Sequence, residues 1–226
     1  MVRLVLFDID GTLVRTGGAG VRAFGKVFQT IFGATDHFER LRFAGRTDMS
    51  LVREFFGYHQ IPCSPENFEM FFDAYAFWLD HLLPQSKTAV CPGVRETLNA
   101  LQKLPKAPVT GLLTGNIRLG AEIKLRHFDL WEEFQTGGFA DDHEDRDCIA
   151  AIARERGSRL LGERLKPEEV LVIGDTPLDI RCGRAIGAQV LAVATGGATL
   201  EELRRHKPDW AVPDLTQAKY GEVFGC

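Results

Sequence analysis

The chain has 226 residues, 26% of them charged and 45% hydrophobic, with a formal net charge of −4. That length buries a core in one or two domains, and the acidic balance argues against a nucleic-acid partner or an anionic membrane surface. Five scattered cysteines (Cys63, Cys91, Cys148, Cys182 and Cys226) read as reduced thiols, and the first apolar run is far too short for a signal sequence or spanning helix, so the expectation is a cytoplasmic protein.

The first element, Leu4 to Phe7, is an apolar run that ends in Asp8 and Asp10. Side chains two apart on a strand share a face, so the two carboxylates converge at one strand end. Such a pair repels unless a cation or a shared proton offsets it. A divalent metal with one carboxylate free to attack is phosphoryl-transfer chemistry. Asp8 is then the candidate nucleophile, and Asp10 the group that protonates the leaving oxygen and later activates water. Gly11 permits the sharp turn that follows, and the Thr12 hydroxyl can hold it.

From Thr16 to Cys91 no convincing strand appears. Amphipathic helical patterns do, such as Val21, Phe24, Phe28 and Ile31, and eleven of the sixteen phenylalanines fall between Phe24 and Phe77. An aromatic core of its own marks this segment as an inserted helical domain. The expected division is a core of residues 1–15 and 92–226 around an insert of 16–91, hinged at Gly17-Gly18-Ala19-Gly20 and Cys91-Pro92-Gly93.

Beyond Cys91, helices and strands alternate. Helical patterns cover Gly93 to Lys103, Arg118 to Arg126, Asp147 to Gly157 and Leu178 to Ile186. Buried strands are predicted at Val109 to Leu113, Val170 to Ile173 and Val190 to Val193, with weaker ones near Phe134 to Phe139 and Trp210 to Val212. The pattern is α/β, a doubly wound parallel sheet with right-handed crossovers. Ligands in such sheets bind beyond the carboxyl ends of the strands, where Asp8, Asp10, Thr114 and Asp175 all fall.

Two of those strand ends add to the site. In Thr114-Gly115-Asn116 the Thr114 hydroxyl and the amides that open the next helix can grip a phosphate oxygen; a plain threonine helix cap is the competing reading. In Gly174-Asp175-Thr176-Pro177-Leu178-Asp179, Asp175 completes a magnesium site with Asp8 and the backbone carbonyl of Asp10. Asp179 ligates the metal through water or orients the other groups. A cation should also meet the transferring phosphoryl group. Arg146, in the acidic loop Asp141 to Asp147, is favoured over Lys124, which reads as a solvated helix lysine.

These segments together resemble the successive signatures of the haloacid dehalogenase-like hydrolase superfamily, over essentially the whole chain. The all-helical insert is similar to the small cap of the phosphoglycolate phosphatase and β-phosphoglucomutase group. The resemblance implies a Rossmann-like core, a magnesium-dependent phosphotransferase, Asp8 as nucleophile and Asp10 as acid/base. One departure stands out: where the family usually places a lysine, this chain reads Glu144-Asp145-Arg146-Asp147, with Arg146 in its stead.

The resulting expectation is a phosphatase for a small phosphorylated metabolite, phosphoglycolate phosphatase-like, with a β-phosphoglucomutase-type phosphomutase as the alternative. A non-catalytic phosphometabolite-binding protein is the reading from another class. Asp10 argues against a dehalogenase, whose halide leaves unprotonated, and no insert lysine lies near Arg46 to serve a phosphonate hydrolase. Within the insert, Arg46 of Gly45-Arg46-Thr47-Asp48 is the candidate specificity residue, either gripping a substrate anion or pairing with Asp48. Oligomeric state is not legible.

Overall fold

The computed structural model describes residues 1–225, apart from the side chain of Glu39. Six parallel strands form the sheet: β1 (Leu4–Phe7), β4 (Val109–Leu113), β5 (Thr136–Gly138), β6 (Val170–Gly174), β7 (Gln189–Val193) and β8 (Trp210–Val212). Their spatial order is β5-β4-β1-β6-β7-β8. The central β1 pairs with β4 (Phe7 opposite Leu112) and with β6 (Phe7 opposite Ile173). Those registers bring the ends of the three strands level, so Asp8, Thr114 and Asp175 follow at one edge.

Both faces of the sheet are buried, which is why its strands read as continuous apolar runs rather than alternating ones. Val5 and Phe7 face α4 (Val94–Gln102), α5 (Arg118–Arg126) and α9 (Tyr220–Phe224). Leu4 and Leu6 face α6 (Arg146–Leu161), α7 (Pro177–Ala185) and α8 (Leu200–Arg205). The doubly wound sheet expected from the alternation is the observed fold. One boundary differs: Arg146 is the first residue of α6, capped by the Asp145 side chain on the Asp147 amide, rather than part of a loop.

Between β2 (Val14–Arg15) and β3 (Ala89–Val90), a two-residue antiparallel ribbon, the chain is helical. It forms α1 (Ala19–Ile31), α2 (Asp48–Tyr58) and α3 (Pro65–Leu82). Thr47 and Ser64 cap α2 and α3 by accepting from the Ser50 and Asn67 amides, and Pro65 occupies the first position of α3, where its missing N–H costs nothing. Phe24, Phe28, Phe55, Phe56 and Phe71 make a core separate from the two that flank the sheet. The buried stripe of α1 runs through Ala23, Phe24, Val27 and Phe28; Val21 and Ile31, expected on that stripe, are exposed. Ribbon strand β3 was not legible because two residues carry no period.

Candidate active site

The chain leaves β1 at Asp8 and turns at Gly11, whose φ of +89° suits glycine. A Cβ there would lie 2.6 Å from Asp175 Oδ2, so the turn can sit against the acid only because that atom is missing. Thr12 donates its hydroxyl to Asp175 Oδ1 at 3.0 Å, fixing the carboxylate across 163 residues of sequence. Sequence reasoning had given Thr12 only the turn.

Asp8, Asp175 and Asp179 form a buried cluster, one oxygen of each lying within 4.8 Å of the others. Arg146, itself buried, reaches in from the start of α6 to ion-pair with Asp179 and, at 3.5 Å, with Asp8. Burial, and then repulsion from Asp179, push Asp8 up to about 7 against the pull of Arg146. Burial followed by Asp179 and Asp8 pushes Asp175 up to about 8. Burial works against the charge on Arg146, but Asp179 and Asp8 overcome it and hold its pKa above the usual arginine range. Its Nε is buried with no hydrogen-bond partner.

Three carboxylates against one guanidinium leave a surplus of negative charge in a place that water cannot screen. Hard oxygen donors with that surplus suit a divalent cation such as magnesium. Of the two roles the sequence leaves open for Asp179, a metal ligand through water or an orienting group, its hydrogen bonds favour the second. Its Oδ1 is spent on Arg146, and its Oδ2 accepts from the Thr176 amide at 2.9 Å and hydroxyl at 2.6 Å. It orients Arg146 and caps α7 in the same stroke.

Asp10 stands apart from this cluster. Its Oδ2 accepts from Lys124 Nζ at 2.5 Å and from Asn116 Nδ2 at 2.9 Å, and its side chain keeps 41% exposure. Lys124 is therefore no solvated helix lysine: its ammonium is buried at the end of a long stem and also donates to Asn116 Oδ1 at 2.6 Å. The phosphate-binding expectation for Asn116 needs the same correction. Its side chain joins Asp10, Thr114 (2.8 Å) and Lys124 into one network.

The amides that open α5 are also largely engaged. Asn116 N–H meets Thr114 Oγ1, Ile117 N–H meets Asp48 Oδ2 at 2.8 Å, and Arg118 N–H meets Asp141. Thr114 is buried at the head of this loop and lines the same cavity as Asp8. It is not the helix cap, since the residue before α5 is Ile117. Gly115 backs directly onto the insert: a Cβ there would lie 2.1 Å from the Arg46 carbonyl oxygen.

The insert docks here through Gly45 to Asp48. The Asp48 amide donates to Gly115 O at 2.7 Å, Thr47 Oγ1 to Glu144 O at 2.9 Å, and Arg146 NH1 to Gly45 O at 3.2 Å. Arg46 pairs with Glu54 rather than with Asp48 and also donates to Ser50. Asp48 instead turns inward, and burial pushes its carboxyl up to about 7 against the pull of Lys124. Its part was missed because nothing local ties residue 48 to residue 117. Together the core and insert enclose a cavity of about 360 Å³.

The signatures found at the strand ends are matched by a family model, haloacid dehalogenase-like hydrolase, over residues 5–193. The chain belongs to that family. A bifunctional riboflavin kinase/FMN phosphatase of Arabidopsis thaliana is 26% identical over 191 residues, 84% of this chain but 48% of the relative, so the chain spans about half of that protein's length. A protein of Caldanaerobacter subterraneus bearing the name pyrophosphatase PpaX is 24% identical over 96% of this chain and 92% of its own. Among solved structures, a HAD hydrolase of family IA, variant 3, from Entamoeba histolytica superposes with a TM-score of 0.73 at 20% identity, over 100% of this chain and 98% of that one. At that identity it speaks for the fold alone.

Proposed function

We propose that the chain is a magnesium-dependent phosphatase that hydrolyses a small phosphorylated metabolite through an aspartyl-phosphate on Asp8. The observation that carries this reading is the division of the two strand-end aspartates. Asp8 sits among buried acids with Arg146, while Asp10 is held by Lys124 and Asn116 through one oxygen only.

Asp8, Asp175 and the backbone carbonyl of Asp10 would hold the metal, which supplies the positive charge that keeps Asp8 ionised and offsets the substrate's phosphoryl oxygens. A carboxylate oxygen of Asp8 attacks phosphorus, and the bond to the ester oxygen breaks. The Asp10 oxygen not engaged by Lys124 gives that departing oxygen its proton, then takes one from the water that attacks the aspartyl-phosphate. Arg146 and the Thr114 hydroxyl stabilise charge on the transferring group. Lys124 and Asn116 position Asp10 rather than the phosphate.

A phosphomutase reading has no observation in its favour: the buried cations at the cavity, Lys124 and Arg146, are both paired with carboxylates. Phosphate release from 4-nitrophenyl phosphate with magnesium tests the proposal. It is expected in the parent protein and reduced by at least about 1,000-fold in Asp8→Asn. Equal rates in the two proteins would contradict it.

A further inference from the structure

Tyr75 is 1% exposed, and its ring packs edge-on against Phe24 at 4.8 Å in the aromatic core of the insert. Its hydroxyl reaches the cavity beside Gly20, where an added Cβ would touch Tyr75 Oη and Lys124 Nζ at 3.6 Å each. Gly120 on α5 makes the room: a Cβ there would crowd the ring at 3.2 Å. Yet this hydroxyl has no hydrogen-bond partner among the described residues, whereas its neighbours Lys124, Asn116 and Asp48 are all engaged. The hydroxyl opens onto the cavity rather than being sealed in the core, so a ligand bound there can take its hydrogen bond.

Apart from Arg46 and Asp48, the rest of the insert's wall is largely apolar, with Val21, Phe24, Phe43 and Leu51. Three of the four cations that line the cavity are already paired. Arg46 is spent on Glu54 and Ser50, Lys124 on Asp10 and Asn116, and Arg146 on Asp8 and Asp179. Arg15 has no carboxylate partner, but it is exposed and bound to the Thr195 carbonyl at 2.7 Å and 2.9 Å. The cavity sits near the lower end of the usual range for ligand pockets, about 300–1,000 Å³, and must hold the phosphoryl group as well.

From this we infer that the leaving group is compact, uncharged and largely apolar, with one hydroxyl or carbonyl close to the ester oxygen, and that Tyr75 is the specificity-determining residue that hydrogen-bonds it. The inference rests on the phosphatase reading and narrows it. A carboxylate-bearing ester of the phosphoglycolate kind, or a second phosphoryl group, would enter an apolar wall with no unpaired buried cation to meet it. Uncompensated, such a charge is expelled.

The test uses the full chain carrying Asp8→Asn with magnesium, so that binding is read without turnover. Calorimetry compares three matched monoesters: propyl phosphate, 2-hydroxypropyl phosphate and 3-phosphooxypropanoate. The hydroxypropyl ester should bind tightest and the carboxylate ester at least about tenfold more weakly. Adding Tyr75→Phe, which keeps the ring packing, should weaken the hydroxypropyl ester by about fivefold and the propyl ester by less than twofold. Tightest binding by the carboxylate ester, or equal losses for both neutral esters, would overturn the inference. Wild-type turnover of the same three esters separates the two readings. Binding in the expected order without phosphate release contradicts the phosphatase alone, whereas binding of none of them, with 4-nitrophenyl phosphate still hydrolysed by the wild type, overturns the inference alone.

Discussion

The floor and the roof of the cavity are built on opposite principles. The floor, at the ends of β1, β4 and β6, packs Asp8, Asp175, Asp179 and Arg146 into a buried cluster whose charges do not cancel. The roof, from α1, α2 and the loop before α2, is mostly apolar; its one arginine is neutralised within the insert by Glu54, and its one carboxylate, Asp48, accepts from the Ile117 amide. The difference teaches a division of labour. Surplus negative charge at the strand ends suits a divalent cation, whatever the substrate, while the roof can select by shape and by a single hydroxyl that faces the cavity.

The largest effect that would break this comparison comes from the floor. Arg146→Met keeps most of the volume but leaves three buried carboxylates without their cation. It should destabilise the metal-free fold by about 3–5 kcal/mol and lower kcat/KM by roughly 100- to 1,000-fold. Chemical denaturation with EDTA and steady-state kinetics with magnesium read the two effects. Near-parent values in both would mean that the floor's charges are not coupled as described.

A second, intermediate effect follows from acidity. In metal-free protein Asp8 and Asp175 keep their protons up to about 7 and about 8, whereas in the unfolded chain an aspartate releases its proton near pH 4. The folded state therefore binds more protons across that window. Its stability is full below about pH 4 and is lost as pH rises through 7 to 8. Thermal unfolding with EDTA should show a falling Tm from pH 5 to pH 8. Magnesium should restore most of it at the alkaline end, and a Tm that rises over that range in EDTA would refute the surplus-charge account.

The smallest effect belongs to the roof. The sequence leaves Arg46 as either the substrate's anion grip or a partner of Asp48, but its partly exposed pair with Glu54 is worth about 1 kcal/mol or less. Arg46→Ala should change KM for an uncharged monoester by less than about threefold. A tenfold rise would return Arg46 to the substrate.

How much of this was legible in the sequence follows from what each feature depends on. Strands β1, β4 and β6, and the acids that end β1 and β6, are local: an apolar run stops where a carboxylate begins. The same holds for the inserted segment, whose many phenylalanines contrast with the single one, Phe7, in the strands of the sheet. Side-chain partnerships are not local. Lys124 looked solvated because its helix has a polar face, and only folding brings it to Asp10, 114 residues away. The nearest acid to Arg46 in sequence is Asp48, yet α2 turns that side chain toward α5 and offers Glu54 instead. The Tyr75 hydroxyl could not have been singled out from a helix in which every aromatic reads as core.

The central claim is that Asp8 attacks while Asp10 moves the proton. The most direct measurement is a rapid-quench experiment on the Asp10→Asn protein with 4-nitrophenyl phosphate, whose leaving group departs without needing a proton. The account predicts a burst of about one nitrophenolate per chain, then a stall, with the phosphoryl group recovered on the peptide that carries Asp8. Steady turnover without a burst, or phosphate attached to any other residue, would contradict it.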